Sequence, residues 1–351
     1  MKIDRVCFYV EDATQTSNWF IDNLGFQKIA SYLDTHTQTE VIANNSIYLI
    51  FASPLSTSSP VASYLNCHAP GVVDIVFRVS NLESIVARAK KINVPILQSI
   101  QIQGNIKWAK IQGWDSLQHT LIELPVANQN CLFFPELGFC QALSLMPVCK
   151  NFAIDAIDHI VLNVAAGELA PAVARYQALF GWEVQQTFAI STKHSGLYSQ
   201  ALIDTSRQVQ FNINEPTAAN SQIQEFLEFN GGAGIQHLAL KSQNILHTVS
   251  QMRLRGVDFL DVPPSYYQQI KQRANLLLQD WEWQKIINSQ ILIDRQESSP
   301  ESLLMQIFTQ PIFNKPTFFL ELIERRQQAR GFGEGNFQAL FEAVEREQKS
   351  W

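Results

Sequence analysis

Three residues carry the chemistry this chain can do: His159 in Asp158-His159-Ile160-Val161, His237 in Gly234-Ile-Gln-His-Leu-Ala and Glu321 in Phe318-Phe-Leu-Glu-Leu. Two imidazoles and a carboxylate on one face of a metal ion, with the opposite positions open, are the ligand set of non-haem Fe(II) oxygenases. The open positions are where an oxidisable substrate and O₂ meet. A lone histidine in an apolar strand is more commonly a satisfied core residue, and these three lie too far apart to form a local motif. An internal repeat is what sets them apart.

Lys2 to Val10 reads KIDRVCFYV, and Ala156 to Val164 reads AIDHIVLNV. Each run has the alternation of a strand and is followed by a helical pattern, Thr14 to Leu24 in one copy and Glu168 to Phe180 in the other. Both patterns stop at a glycine, Gly25 and Gly181, as helices do when the next residue must be left-handed. Further on, Gly71-Val-Val-Asp-Ile-Val-Phe matches Gly234-Ile-Gln-His-Leu-Ala-Leu, each followed by a helix, Leu82 to Lys91 and Ile245 to Arg255. Both halves close on an apolar strand with one acid, Glu123 and Glu321. The chain therefore reads as α+β, two copies of a βαβββ-βαβββ unit. We expect an N-terminal domain over residues 1–126, a linker over 127–152 and a catalytic domain over 153–351. Laying the copies together sets Arg5, Asp74 and Glu123 against His159, His237 and Glu321, so only the second copy keeps a metal site. An ion pair is expected in the first. His36, His68, His119, His194 and His247 lack such positional support and read as surface or core residues, with His247 facing solvent.

Composition narrows the function classes. Hydrophobic residues make up 46% of the chain and charged ones 17%, enough apolar side chain for packed cores and too little charge for general disorder. A net charge of −6 gives no electrostatic footprint for nucleic acid. Cys7, Cys67, Cys131, Cys140 and Cys149 show no Cys-x-x-Cys spacing, so reduced thiols are expected. The first residues meet Glu11 and Asp12 before any long apolar run, unlike a signal peptide, and no run reaches the roughly 18 apolar residues of a membrane helix. A cytoplasmic protein with no membrane partner is expected.

Longer runs carry a resemblance. Leu197-Tyr-Ser-Gln-Ala-Leu, Asn212-Ile-Asn-Glu-Pro, Ser221-Gln-Ile-Gln-Glu-Phe-Leu, Gly234-Ile-Gln-His-Leu-Ala, Pro263-Pro-Ser-Tyr-Tyr, Leu303-Leu-Met-Gln-Ile-Phe and Gly331-Phe-Gly-Glu-Gly-Asn-Phe resemble the 4-hydroxyphenylpyruvate dioxygenases. The likeness is strong from about residue 155 to 349 and at fold level in the first half. It implies the two-domain vicinal oxygen chelate fold (glyoxalase/bleomycin-resistance-like), whose βαβββ units form open barrels. It also implies Fe(II) held by His159, His237 and Glu321. The substrate would be 4-hydroxyphenylpyruvate, whose own α-keto acid chelates the iron beside O₂. Oxidative decarboxylation and ring attack with a side-chain shift would then give homogentisate. By the same resemblance Ser199, Asn214, Gln236 and Gln306 are catalytic pocket residues and Gln222 a substrate-binding one. Phe308 and Phe337 would hold the ring between them, with Phe319, Phe332 and Asn336 nearby. Assembly as a homo-dimer or tetramer is expected by analogy.

One position departs from the pattern: Asn212 stands where the family is expected to have proline, two residues before Asn214. Its amide adds a polar group to the pocket wall. The nearest rival activity is 4-hydroxymandelate synthase, which hydroxylates the benzylic carbon of the same substrate; an aliphatic residue is expected there at the position of Phe337. Further rivals are an extradiol dioxygenase, which needs another His and a Tyr near the metal, and a non-enzymatic binding protein, which needs no intact triad. Finally, Phe337, Leu340, Phe341 and Val344 recur at helical spacing behind Gly331, Gly333 and Gly335. They describe an amphipathic C-terminal helix expected to gate the iron site.

Overall fold

The duplication reaches down to the capping residues. The structure, a computed structural model, describes residues 1–125, 131–135, 139–142, 152–191, 196–273, 278–295, 301–333 and 335–337. The first half runs β1 (Lys2–Tyr9), α1 (Ala13–Leu24), β2 (Gln27–Leu33), β3 (Thr37–Asn44), β4 (Ile47–Pro54), α2 (Pro60–Leu65), β5 (Gly71–Arg78), α3 (Leu82–Lys91), β6 (Ile96–Gln103), β7 (Ile106–Gln112) and β8 (Gln118–Glu123). A short hairpin follows, β9 (Cys131–Phe134) and β10 (Phe139–Ala142). The second half runs β11 (Ile154–Asn163), α4 (Leu169–Phe180), β12 (Glu183–Ser191), β13 (Gly196–Ile203), β14 (Gln210–Pro216), α5 (Gln222–Asn230), β15 (Gly234–Ser242), α6 (Ile245–Leu254), α7 (Pro264–Arg273), α8 (Asp280–Asn288), β16 (Leu292–Arg295), β17 (Leu303–Phe308) and β18 (Phe319–Arg326).

Helices α1 and α4 end on left-handed glycines, Gly25 at φ 70° and Gly181 at φ 71°. These positions favour glycine because a Cβ is strained there. Helices α3 and α6 start at Asn81 and Asn244, whose side chains accept from the backbone N–H three residues on. Such caps each stabilise by about 1 kcal/mol. The two sheets have the same strand order, β2-β3-β4-β1-β5-β8-β7-β6 and β12-β13-β14-β11-β15-β18-β17-β16. Each curls around a concave face, giving the two-domain vicinal oxygen chelate fold.

The two concave faces are used differently. In the first half, β9 enters the space: Leu132 packs with Val41, Ala43 and Tyr48, and Phe133 with Val76, Ile106, Ile122 and Leu124. The guanidinium of Arg5 lies 5.0 Å over the Phe134 ring. Within the segment expected as a linker, Leu132, Phe133 and Phe134 thus contribute to the core of the first half. Cys131 is disulfide-bonded, which corrects the expectation of reduced thiols throughout. Among the described residues, no helix is long and apolar enough to cross a membrane. A helical turn begins at Gly335–Phe337, but Leu340, Phe341 and Val344 of the expected gating helix lie outside the described residues.

The halves share an apolar interface, in which Phe8 meets the edge of Phe318 at 5.1 Å and Phe77 contacts Phe180 and Trp182. A polar pair crosses it. His119 on β8 lies 2.9 Å from the Tyr176 hydroxyl of α4, while its other ring nitrogen faces the Ile75 carbonyl. The ring N–H therefore goes to Ile75, and the second nitrogen accepts from Tyr176. Burial pushes His119 down to about 4, against smaller opposing effects of Asp74 and the Ile75 carbonyl. The unfolded chain binds this proton below its ordinary pKa near 6.5, whereas the folded one stays neutral until about pH 4. Stability should therefore fall by roughly 3 kcal/mol as pH drops through that window. Urea unfolding of wild type and His119→Gln at pH 7 and pH 4.5 checks this. The variant should lose much less on acidification, and parallel losses would remove His119 as the cause.

Candidate metal centre

Three neighbouring strands deliver the triad. His159 on β11 stands opposite Ala239 on β15, and Ala239 stands opposite Glu321 on β18. His237 is two residues before Ala239 and so points to the same face. The row His159–Ala239–Glu321 thus has a methyl group at its centre, which lets the longer side chains converge above it. A bulge in β11 between Ile157 and His159 helps aim the first imidazole. His159 Nε2 lies 3.3 Å and His237 Nε2 3.5 Å from Glu321 Oε2. The ligand atoms of all three residues fall within 4.8 Å of one another.

The centre is buried, with exposures of 2% for His159, 3% for His237 and 0% for Glu321. Burial opposes ionisation of Glu321, but the His159 and His237 rings outweigh it and hold the carboxyl at about 2. Burial likewise opposes charge on His159, yet Glu321 and the hydrogen bond to Asp158 hold that ring up at about 9. His237 is shifted down, chiefly by burial. Glu321 Oε2 and both ring nitrogens of His237 make no hydrogen bond. Buried polar atoms without partners are costly, and a divalent cation between the ligands would give partners to Glu321 Oε2 and to His237 Nε2. Two imidazole nitrogens and one carboxylate oxygen suit a divalent transition metal such as iron or zinc.

A second layer holds each ligand. Asp158 accepts from His159 Nδ1 at 2.9 Å, which turns Nε2 to the centre, where a cation would displace its proton and take its lone pair. Arg325 donates to both Asp158 oxygens at 2.8 and 2.7 Å and to the carbonyls of Ala329 and Gly331. Burial again works against Asp158, but Arg325 and His159 keep it well below the usual carboxylate range. On the other side Gln306 donates to Glu321 Oε1 at 2.8 Å and to the Phe332 carbonyl at 3.0 Å. Its own Oε1 accepts from Asn336 at 2.8 Å, and Asn336 accepts from the Tyr266 hydroxyl at 2.7 Å. Gly333, at φ 76°, has no alternative: a Cβ there would sit 1.8 Å from Gln306 Oε1.

A cavity of about 360 Å³ opens above the triad. His159, His237, Asn214, Gln222, Gln236, Phe308, Phe319 and Phe337 all line it, as the resemblance implied, together with Asn212. Phe319 stacks on His237 at 4.8 Å. Gln306, Phe332 and Asn336 do not line it; Gln306 and Asn336 brace Glu321, and the edge of Phe332 packs 5.2 Å from His159. Ser199 lies opposite Asn214 in register, outside the cavity lining, with its hydroxyl buried and unpartnered. The rings of Phe308 and Phe337 are 5.4 Å apart. A third ring between them would need about 7 Å, two contacts of roughly 3.5 Å, so at this separation the two rings pack on each other and enclose no third. Sequence reasoning missed Asp158, Arg325 and Tyr266, and the apolar wall of Val161, Phe188, Ile190, Leu197 and Leu260. The Ile-Asp pair repeated in both halves was a signal for Asp158.

Strand register also corrects the alignment of the halves. Arg5 pairs with Val76 and Asp74 with Gln118, as His159 pairs with Ala239 and His237 with Phe319. Thr120, not Glu123, is therefore the counterpart of Glu321. Glu123 corresponds to Glu324, since each accepts from the first N–H of the neighbouring helix, Leu82 or Ile245, at 2.7 Å. The expected ion pair is present in another form, with Asp4 between Arg5 and Arg78.

The Glyoxalase/Bleomycin resistance protein/Dioxygenase superfamily profile matches residues 156–273. The 4-hydroxyphenylpyruvate dioxygenase of Yarrowia lipolytica is 34% identical over 370 residues, covering 98% of this chain and 91% of that protein. The chain belongs to the 4-hydroxyphenylpyruvate dioxygenase family. An uncharacterized protein of Synechocystis is 36% identical over 345 residues, 98% of this chain and 97% of its own length. Among solved structures, a mutant of 4-hydroxymandelate synthase from Streptomyces coelicolor superposes with a TM-score of 0.86 at 26% identity, covering 99% of this chain and 98% of its own. The protein is accordingly an enzyme of the non-haem iron dioxygenase type.

The second layer makes a quantitative claim. Asp158→Asn and Gln306→Leu each leave the cavity wall intact but loosen one ligand, and such changes typically cost 10- to 100-fold in metal affinity. Anaerobic titration with Co(II), followed by visible absorbance, should show that loss. Unchanged affinity in both variants would mean the triad is rigid without its supports.

Proposed function

We propose that the protein is a 4-hydroxyphenylpyruvate dioxygenase, converting 4-hydroxyphenylpyruvate and O₂ to homogentisate and CO₂ with Fe(II) at His159, His237 and Glu321. The observation that carries this reading is the aromatic wall of Phe308, Phe319 and Phe337 directly beside a buried His/His/Glu triad. Fe(II), when bound, supplies chelation of the α-keto acid and activation of O₂. The chain's part is placement and exclusion of water. Phe188, Ile190, Leu197 and Phe319 give the cavity apolar walls, which keep water from a reactive oxidant. Gln236 and Gln222 offer amides to the polar ends of the ligand, and Phe308 offers a ring face to the substrate ring.

The structural likeness to 4-hydroxymandelate synthase supports a second reading, benzylic hydroxylation of the same keto acid. Phe337 favours the first, because a second ring over the substrate holds its aromatic carbons, not its methylene, toward the oxidant. An extradiol dioxygenase fits less well, since among the described residues the cavity lining holds no third histidine and no tyrosine.

Product analysis separates these activities. Iron-loaded protein given 4-hydroxyphenylpyruvate and then O₂ should form homogentisate, and Phe337→Ile should shift product toward 4-hydroxymandelate as the ring loosens. Chromatography of the acids reads both. 4-Hydroxymandelate from the wild type would establish the second reading instead, and no O₂ uptake would end both.

A further inference from the structure

We propose that Asn212 selects hydroxylated aromatic keto acids by accepting a hydrogen bond from the ring hydroxyl, an inference that rests on the function proposed above. Asn212 lines the cavity at 4% exposure, and its Oδ1 is buried with no hydrogen-bond partner. Among the described cavity-lining residues, only His237, which belongs to the metal centre, shares that condition. The other wall amides differ. Asn214 donates to Asn163 at 3.3 Å, and Gln222 lies at an exposed position.

Register fixes where the amide stands. Asn212 on β14 is opposite Ala201 on one side and Val161 on the other, and Val161 is opposite His237. The row Ala201–Asn212–Val161–His237–Phe319 therefore crosses the concave face, with apolar neighbours flanking the amide on both sides. Neither neighbour has a side-chain donor, and the cavity that Asn212 lines is the side from which one can come. Asn212 is two strand spacings, roughly 10 Å, from His237. A keto carbon and a para hydroxyl are separated by one methylene and the long axis of a ring, roughly 6 to 7 Å on standard bond lengths. Chelation at the triad on one end and one hydrogen bond of about 2.8 Å on the other close the span.

The chemistry of the orphan atom picks the ligand group. Oδ1 is an acceptor and needs an O–H or N–H. The carboxylate and carbonyl of an ionised keto acid offer none, so within this substrate class only the phenol satisfies it. Leaving a buried acceptor unpaired is costly, and pairing it should give about tenfold preference or more for the hydroxylated ligand.

The test is a cycle of two ligands and two proteins. Anaerobic Co(II)-loaded wild type and Asn212→Leu, which is close in size, are titrated with 4-hydroxyphenylpyruvate and with phenylpyruvate, which lacks the hydroxyl. Wild type should prefer 4-hydroxyphenylpyruvate by about tenfold or more, and in the variant the two dissociation constants should converge through weaker binding of the hydroxylated ligand. Asn212→Val, suited to a strand beside Val161, repeats the comparison should the leucine variant not fold. Equal weakening of both ligands, or undiminished preference, overturns the role of Asn212 while leaving the proposed activity standing. Binding of neither keto acid to wild type overturns both together.

Discussion

The second half is organised around the cost of bringing a carboxylate and two imidazoles together away from water. Removing such groups from solvent is unfavourable by several kcal/mol for a charge, and Glu321 is fully buried. Three features meet that cost. The rings and the carboxylate face one another, the outer atoms of Glu321 and His159 are tied to Gln306 and Asp158, and the inner atoms are left for a cation. The strands exist to make this arrangement rigid. Three adjacent strands with a methyl residue in the middle row fix the directions of the ligands, which side chains on loops would not do.

The same scaffold without the metal shows what the site displaces. In the first half the corresponding positions hold Arg5, Asp74 and Thr120. There Asp74 accepts from Thr120 and faces Lys110 at 3.4 Å, and Asp4 bridges Arg5 and Arg78. Opposite charges within the protein do locally what a bound cation does in the second half. The concave face above them is filled by Leu132 and Phe133, so packing replaces the void that a substrate needs. A cavity forgoes dispersion contacts along its whole lining. One half retains that deficit for function, and the other closes it with residues from the connecting segment.

Much of this was legible in the sequence where position alone carried the information. Glycine stops, apolar alternation and the Ile-Asp pair placed His159 and His237 because β11 and β15 lie at the centre of a sheet that the repeat defines twice. The acid was harder. Thr-Leu-Ile-Glu-Leu and Phe-Phe-Leu-Glu-Leu look alike, yet a shift of three residues puts Glu123 at a helix start and Glu321 at the metal. Only strand register distinguishes these, and register depends on hydrogen bonding between segments distant in sequence. The amides were legible as a class. A buried Gln or Asn needs a partner, but whether Gln306 meets a ligand or Glu321 is decided by which face of β17 meets the strap after β18. Asp158 and Arg325 were missed for the same reason, being 167 residues apart in the chain.

That strap ties the chain beyond β18 to the ligands. Arg325 holds Asp158 with one part of its guanidinium and the Gly331 carbonyl with another, and Gln306 bonds Glu321 and the Phe332 carbonyl through one amide nitrogen. The carbonyls of Ala329, Gly331 and Phe332 and the side chain of Asn336 are therefore bonded to the groups that orient two of the three ligands. Phe337, a ring of the cavity wall, is the next residue along. Its neighbour Asn336 donates to Gln306, and Gln306 donates to Glu321. The cavity wall at Phe337 and the support of Glu321 are thus held through the same two amides, Asn336 and Gln306.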